Sequence, residues 1–348
     1  MLRSHAVDED IFQLCRTMDT DATTSPLSLP TGTSFETTIL TATRAILALI
    51  NVTSNSLVIW IVYRHRQMTS SLNSYLLINL ALADVMVAIF ITPQYVFQQT
   101  FTHPGGRAGD WLCKMITGGN FIWVGSAASA FTLVAIAMER YYAFVHPCGH
   151  QLTKRRLTMI IAGSWIYAIV TNIPLFIVIG YENHGDDFNC PEKWSNQTIR
   201  KLYTVGVFVL FGVIPIVMMT ILYLRVIKVL WEPNILPTQE EIVKKRRKAT
   251  KMMLLVTVLY FVCRLPNVIL YMLWPYKDFY GSFRVSYVIS IILVGLNSTM
   301  NPFVYSLHSS RFKEEFRRWF VSANTGERER LLVKDNKEFN YGYERFDR

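Results

Sequence analysis

Residues 115–138 read MITGGNFIWVGSAASAFTLVAIAM, an uncharged run that ends on Glu139-Arg140-Tyr141. A helix of this length crosses a hydrocarbon layer about 30 Å thick. Cys113, just before the run, therefore marks one membrane face, and Glu139-Arg140 marks the other. Charges at the end of a spanning helix are costly without partners, which makes this pair a functional candidate. The plainer reading is a boundary pair whose arginine snorkels to the interface.

Outward from this run (block 111–142) lie six further apolar blocks, at about 39–63, 74–97, 157–179, 201–230, 250–274 and 283–306, each long enough for a tilted span. With 51% hydrophobic and only 17% charged residues, the chain reads as an all-α polytopic membrane protein, a seven-helix bundle. Neither a repeat nor a Gly/Pro-rich linker divides it. Expected boundaries are an acidic tail at 1–38, the seven-span domain at 39–308, a short amphipathic helix at 309–320 and a polar, disordered tail at 321–348. No secretory signal precedes block one, which is expected to act as the first insertion signal.

The net charge of +10 does not imply nucleic acid, because its placement follows the membrane. Arg64 and Arg66, Lys154 to Arg156, Lys244 to Lys248, and Arg311 to Arg318 all fall on one side of a seven-pass serpentine. By the positive-inside rule that side is cytosolic and the N-terminus is outside. The basic run before block six is either a solvated face or a contact for a cytosolic partner or anionic lipid. In 309–320, Phe312, Phe316, Trp319 and Phe320 share one stripe, as in a helix lying on the inner membrane surface.

Topology also sorts the cysteines. Cys113 and Cys190 both lie outside, in an oxidising compartment, and are expected to pair and pin the loop 181–200 over the bundle mouth. Cys263 and Cys148 are expected as free thiols, and Cys15 has no evident partner. Asn196-Gln-Thr198 is an accessible glycosylation sequon, whereas the one at Asn51 is too deep in the membrane.

Several polar residues interrupt the apolar blocks. Asn55 should hydrogen-bond across the bundle. Asp84 is either an ion-linked switch or a neutral structural carboxyl, with Ser129 on a face that can approach it. Pro93 should kink block two near Gln94, Tyr95 and Gln98, which meet either ligand or interfacial water. Arg264 is a full charge midway along block six, and Pro302 frees carbonyls that Asn297, Ser298 and Asn301 can satisfy.

As a set, these residues closely resemble the rhodopsin-like (class A) G-protein-coupled receptors over residues 39–320. The match rests on Asn55, Leu80 to Asp84, Cys113 with Cys190, Glu139-Arg140-Tyr141, Trp165, Pro215 with Tyr223, Cys263-x-Leu265-Pro266, and Asn301-Pro302-x-x-Tyr305 followed by Phe312. The resemblance implies a plasma-membrane receptor with an extracellular ligand and a heterotrimeric G protein as partner. It implies that Arg140 holds the inactive cytosolic face, contacting Tyr223 or the G protein once the sixth helix moves, while Tyr305 moves inward. It also implies that Asp84, Ser129, Asn297 and Asn301 can enclose a sodium ion; no other cofactor is expected.

Three departures stand out. Arg264 replaces the family's usual tryptophan, and it either reaches Asp84 in competition with sodium or binds an anionic ligand group. Cys113 lies 27 residues before Arg140, two more than the usual spacing, which predicts a bulge near Gly118-Gly119. Basic residues around Arg246 stand where some relatives carry an acid, leaving Glu139 as the main restraint on Arg140.

Ile122 occupies the position of the acid in amine receptors, and Gly295 that of the retinal lysine, so neither ligand is expected. The expected pocket comprises Gln94, Gln98, Trp123, Arg264, Asn267 and Tyr271 under acidic outer segments. A cationic or amidated neuropeptide suits it best, and the alternative is a lipid or small-molecule ligand. A transporter would need more midplane charge than Asp84 and Arg264 supply, and an intramembrane enzyme would need a nucleophile or metal constellation that the spans lack.

Overall fold

The structure, a computed structural model, describes residues 34–64, 72–97, 103–146, 152–184, 187–230, 240–276 and 282–308. Among them, seven helices are long and apolar enough to cross a membrane. In chain order, α1 is Ser34–Arg64 and α2 is Leu72–Tyr95. Next, α3 is assembled from Gly106–Leu112, a π turn at Cys113–Thr117, and Asn120–Val145, and α4 is Lys154–Val178. A second π turn, Val209–Val213, divides α5 into Gln197–Phe208 and Ile214–Leu230; α6 is Glu240–Leu273 and α7 is Ser282–His308. The expected helix at 309–320 lies outside the described residues, as do Gln98, Cys15 and Cys148.

The all-α expectation gains one addition. The loop between α4 and α5 contains an antiparallel hairpin, β1 (Glu182–His184) paired with β2 (Asp187–Asn189). Three-residue strands carry too little periodic pattern to be read from sequence.

The core is apolar, with Leu57, Ile61, Leu76, Leu80 and Leu133 buried, but polar groups are gathered inside it as well, and large apolar side chains also cover the outer faces. Asn51, Asn55, Asn79, Asp84, Ser129, Thr132 and Asn301 are buried, while Ile46, Leu49, Ile166, Ile177, Leu202 and Val262 are exposed. Lipid solvates those outer faces, so interhelical hydrogen bonds and close packing hold the helices together. The hub is α3: 72% of its most apolar window is buried, against 22% in α4 and in α5. Asn79 ties three helices, donating to Thr132 Oγ1 (2.8 Å) and Ser164 Oγ (3.2 Å) and accepting from Trp165 Nε1 (2.9 Å).

Prolines place the next set of bonds. Pro302 removes the α-helical donor to Ser298 O, which accepts instead from Asn55 Nδ2 (3.0 Å), the cross-bundle bond expected of that asparagine. Pro215 acts likewise on Phe211 O, which accepts from Tyr260 Oη (3.0 Å). Tyr260→Phe should therefore lower the stability of the purified receptor by about 1–2 kcal/mol. An unchanged melting temperature in detergent would show that the bond carries no net stability.

The bulge expected in α3 is present. Gly118 N donates to Cys113 O (2.8 Å), an i to i+5 bond that absorbs an extra residue. Gly119 then turns at φ +75, a left-handed backbone that favours glycine, with the Gln94 side chain against the space a Cβ would fill. Asn120 Nδ2 bridges the break by donating to Lys114 O (2.9 Å).

Candidate functional site

At the inner end of α3, Arg140 Nε lies 2.7 Å from Glu139 Oε2, with the two side chains 17% and 13% exposed. Tyr223 of α5 is buried within electrostatic reach of Arg140 and hydrogen-bonded with Thr257 of α6. Tyr305 of α7 is buried in the same apolar cluster as Tyr223. Tyr141 Oη lies 3.3 Å from His146 Nε2, and its ring packs against Phe144 and Val226. Arg140 and Tyr223 thus bring α3 and α5 together, and Tyr305 of α7 shares the apolar cluster of Tyr223.

Midway along the bundle, Asp84 is fully enclosed. Its Oδ1 accepts from Ser129 Oγ (3.2 Å) and its Oδ2 from Asn301 Nδ2 (2.6 Å), with Ser298 also bonded to it. Asn297 Oδ1 and Asn301 Oδ1 are buried and accept no hydrogen bond. All four residues named for the ion site are therefore buried, and two of them contact Asp84.

Toward the outer face, a cavity opens between α3, α4, α5 and α6. It is lined by Trp123, Asn172, Leu175, Tyr203, Val207, Phe211, Arg264, Asn267, Val268 and Tyr271. Trp123, Arg264, Asn267 and Tyr271 were expected there, whereas Gln94 is instead buried against the α3 bulge. The additional lining comes from α4 and α5, with Val268 of α6. Asn172, a buried amide two residues before Pro174, was the visible signal.

One alternative for Arg264 is overturned. Its Nη1 donates to Ser126 Oγ (3.2 Å), and its Cζ sits 5.2 Å from the Trp123 ring centroid. No ion pair joins it to Asp84, whose oxygens are already engaged by Ser129 and Asn301. The helical phase of α6 turns Arg264 to the cavity side, along with Asn267, whose Nδ2 donates to Ser290 Oγ of α7 (3.0 Å).

The loop after α4 roofs the cavity. The Cys113–Cys190 disulfide fastens it to α3. Lys193 N donates to Val178 O (2.8 Å) and Tyr181 N to Asp110 Oδ1 (2.7 Å), holding the loop against the outer ends of α4 and α3. Glu192 hangs from this roof, accepting from Trp194 Nε1 (2.7 Å) and from Tyr271 Oη of the cavity wall (2.9 Å). Burial pushes its carboxyl above the usual carboxylate range, against the opposing pull of those bonds and of Arg200. Just beyond, exposed Asn196 caps α5 by accepting from Thr198 N (2.7 Å).

A second buried cation was missed although it stands in plain view in block one. Arg44 is 2% exposed, its Cζ lies 4.9 Å from the Tyr95 ring centroid, and its Nε and Nη1 have no hydrogen-bond partner. It lines a cleft between α1, α2 and α7 with Leu47, Val87, Ile91 and Ile291.

Known proteins are similar to this chain over most of its length. The QRFP-like peptide receptor of Branchiostoma floridae is 29% identical over 279 residues, 75% of this chain and 72% of its own length. The substance-P receptor of Aquarana catesbeiana is 28% identical over 307 residues, 84% of this chain and 74% of its own. Galanin receptor 2b of Danio rerio is 29% identical over 292 residues, 81% and 75% of the two chains. The family described as 7 transmembrane receptor (rhodopsin family) matches residues 54–305, the span that holds the Glu139–Arg140 pair, Asp84 and the roofed cavity. The chain belongs to the rhodopsin family of seven-transmembrane receptors.

Proposed function

We propose that this chain is a plasma-membrane receptor for an extracellular peptide, with its N-terminus outside, and that it activates heterotrimeric G proteins. The observation that carries the reading is the outer cavity, walled by aromatic and amide side chains under a disulfide-fastened roof. Similar receptors named for the substance-P, galanin and QRFP-like peptides support a peptide as occupant. Basic residues at the inner ends of α1, α4 and α6 favour the orientation by the positive-inside rule and offer contacts to anionic lipid. Asn196 is the proposed glycan site, since its Oδ1 can keep capping α5 while its nitrogen carries the sugar.

In this reading, ligand binding biases a two-state bundle. Glu139 holds Arg140 in the resting state; in the active state Arg140 meets Tyr223 and the G protein, and Asn301-Pro302 lets Tyr305 shift. Nucleotide exchange on a G protein in reconstituted membranes, driven by a peptide library, tests the proposal. A response confined to lipids or amines would overturn the peptide assignment, and ligand-driven solute flux without exchange would favour a transporter.

Sodium fits the centre of the bundle. Asp84, the Ser129 hydroxyl and the amide oxygens of Asn297 and Asn301, which receive no donor, form an oxygen-rich set suited to a hard cation. A bound ion would neutralise Asp84 and favour the resting bundle. Replacing sodium by N-methylglucamine should raise agonist affinity in the native receptor, and Asp84→Asn should abolish that difference. Persistence of the sodium effect in Asp84→Asn would place the ion elsewhere.

A further inference from the structure

The cavity floor holds a charge that no carboxylate among the described residues pairs with. Arg264 is 5% exposed. Its contacts are neutral: the Ser126 hydroxyl, the Trp123 face and the Tyr260 hydroxyl, and its Nε has no hydrogen-bond partner. A guanidinium cannot shed its proton to escape burial, as a lysine can. The carboxylates of the adjoining regions bond other groups, Asp84 to Ser129 and Asn301, and Glu192 to Trp194 and Tyr271. Burial of this guanidinium among neutral groups costs desolvation, and an anion entering the cavity relieves it.

We infer that Arg264 anchors a carboxylate of the ligand, set at the cavity floor among Trp123, Phe211 and Val268. The inference rests on the reading of this cavity as the ligand site. A guanidinium accepts a carboxylate as a two-point fork, and the surrounding wall suits an aromatic or aliphatic side chain on the carbon beside it. The C-terminal residue of a peptide that ends in a free acid has this chemistry, and so does an acidic side chain; an amidated end lacks the charge.

The roof sets the ligand's polarity. Tyr271, which holds Glu192, lies seven residues beyond Arg264 on α6, roughly 10 Å along the helix axis. A carboxylate therefore goes deep, and a basic group about three extended residues away lies beneath Glu192. A ligand entering with its basic group first would bring like charges together at the floor.

The test uses purified receptor and two probes that differ only in charge, N-acetyl-phenylalanine and its primary amide. The acid should raise the melting temperature of the native receptor and the amide should not. The acid's shift should vanish in Arg264→Gln and in Arg264→Met, and persist in part in Arg264→Lys. Because the neutral variants remove an unpaired buried charge, their ligand-free melting temperatures should equal or exceed the native value, which confirms folding. Equal stabilisation by acid and amide, no shift with either, or an acid shift that survives in Arg264→Gln would each overturn the anchor. In the exchange assay, matched peptide pools should lose potency on the order of 10- to 100-fold when acid is converted to amide. Amidated peptides without acidic side chains that activate native and Arg264→Gln receptors alike would overturn the anchor while sparing the peptide reading. Activation by non-peptide carboxylates alone, abolished by Arg264→Gln, would sustain the anchor and remove the peptide.

Discussion

Replacing Cys190 by serine should cut the amount of folded receptor at the cell surface by about tenfold or more and uncouple the roof from α3. The bond closes a separation of 77 residues, for which chain entropy in a soluble protein gives about 4–5 kcal/mol. Here α3 and α4 are already confined by the bilayer, so part of that entropy is gone before the bond forms. A loss of about 2–4 kcal/mol is expected. The consequence is local as well as global, because the segment after Cys190 carries Glu192 over the cavity. Receptors that do reach the surface should therefore bind ligand more weakly. Cys113→Ser should match Cys190→Ser, and the double variant should be no worse than either, since all three lose the same bond. Cys263→Ser, at a buried thiol outside the bridge, is the comparison that should stay near native. Surface labelling and ligand binding measure these outcomes, and native behaviour of either single variant would defeat the argument.

What sequence revealed and what it hid divide along the membrane normal. The seven spans, the inward-facing Asn55 and Asp84 and the Cys113–Cys190 bond follow from run length, charge placement and the cost of bare polar groups in lipid. The α3 bulge was also legible, because two surplus residues next to paired glycines have few other ways to be stored. The register of the outer half was not. Two π turns shift α3 and α5 by amounts that depend on packing, and with them the choice of side chains that meet across the cavity. Leu175, Tyr203 and Val207 look like lipid-facing or packing residues until that phase is known. Arg264 was recognised as costly, but its partner could not be read from the presence of a single acid. Ser129 and Asn301 already satisfy Asp84, and α6 presents Arg264 to Ser126, one turn of α3 nearer the cavity. Arg44 shows the same limit from the other direction: its charge is plain in block one, yet only packing shows that it is buried over Tyr95 rather than snorkelling to water.

Arg140→Ala should lower ligand-driven nucleotide exchange by on the order of 100-fold while leaving ligand affinity within a few-fold of native, because the cavity and the inner face are at opposite ends of α3. Glu139→Gln should act in the opposite direction. The Arg140–Glu139 pair is 2.7 Å long and only partly exposed, and among the described residues Glu139 is the one carboxylate paired with Arg140. An ion pair in such a setting is worth no more than about 1 kcal/mol, so its removal should raise ligand-independent exchange by at most about fivefold. High salt should mimic part of that rise in the native receptor and add little in Glu139→Gln, since the screened interaction is already gone. The two substitutions separate restraint from action. If Glu139 only marked the membrane boundary, Glu139→Gln would leave basal exchange unchanged. If Arg140 only snorkelled, Arg140→Lys would retain full exchange, whereas a side chain that must swap Glu139 for Tyr223 and a G-protein surface needs the planar fork that lysine lacks.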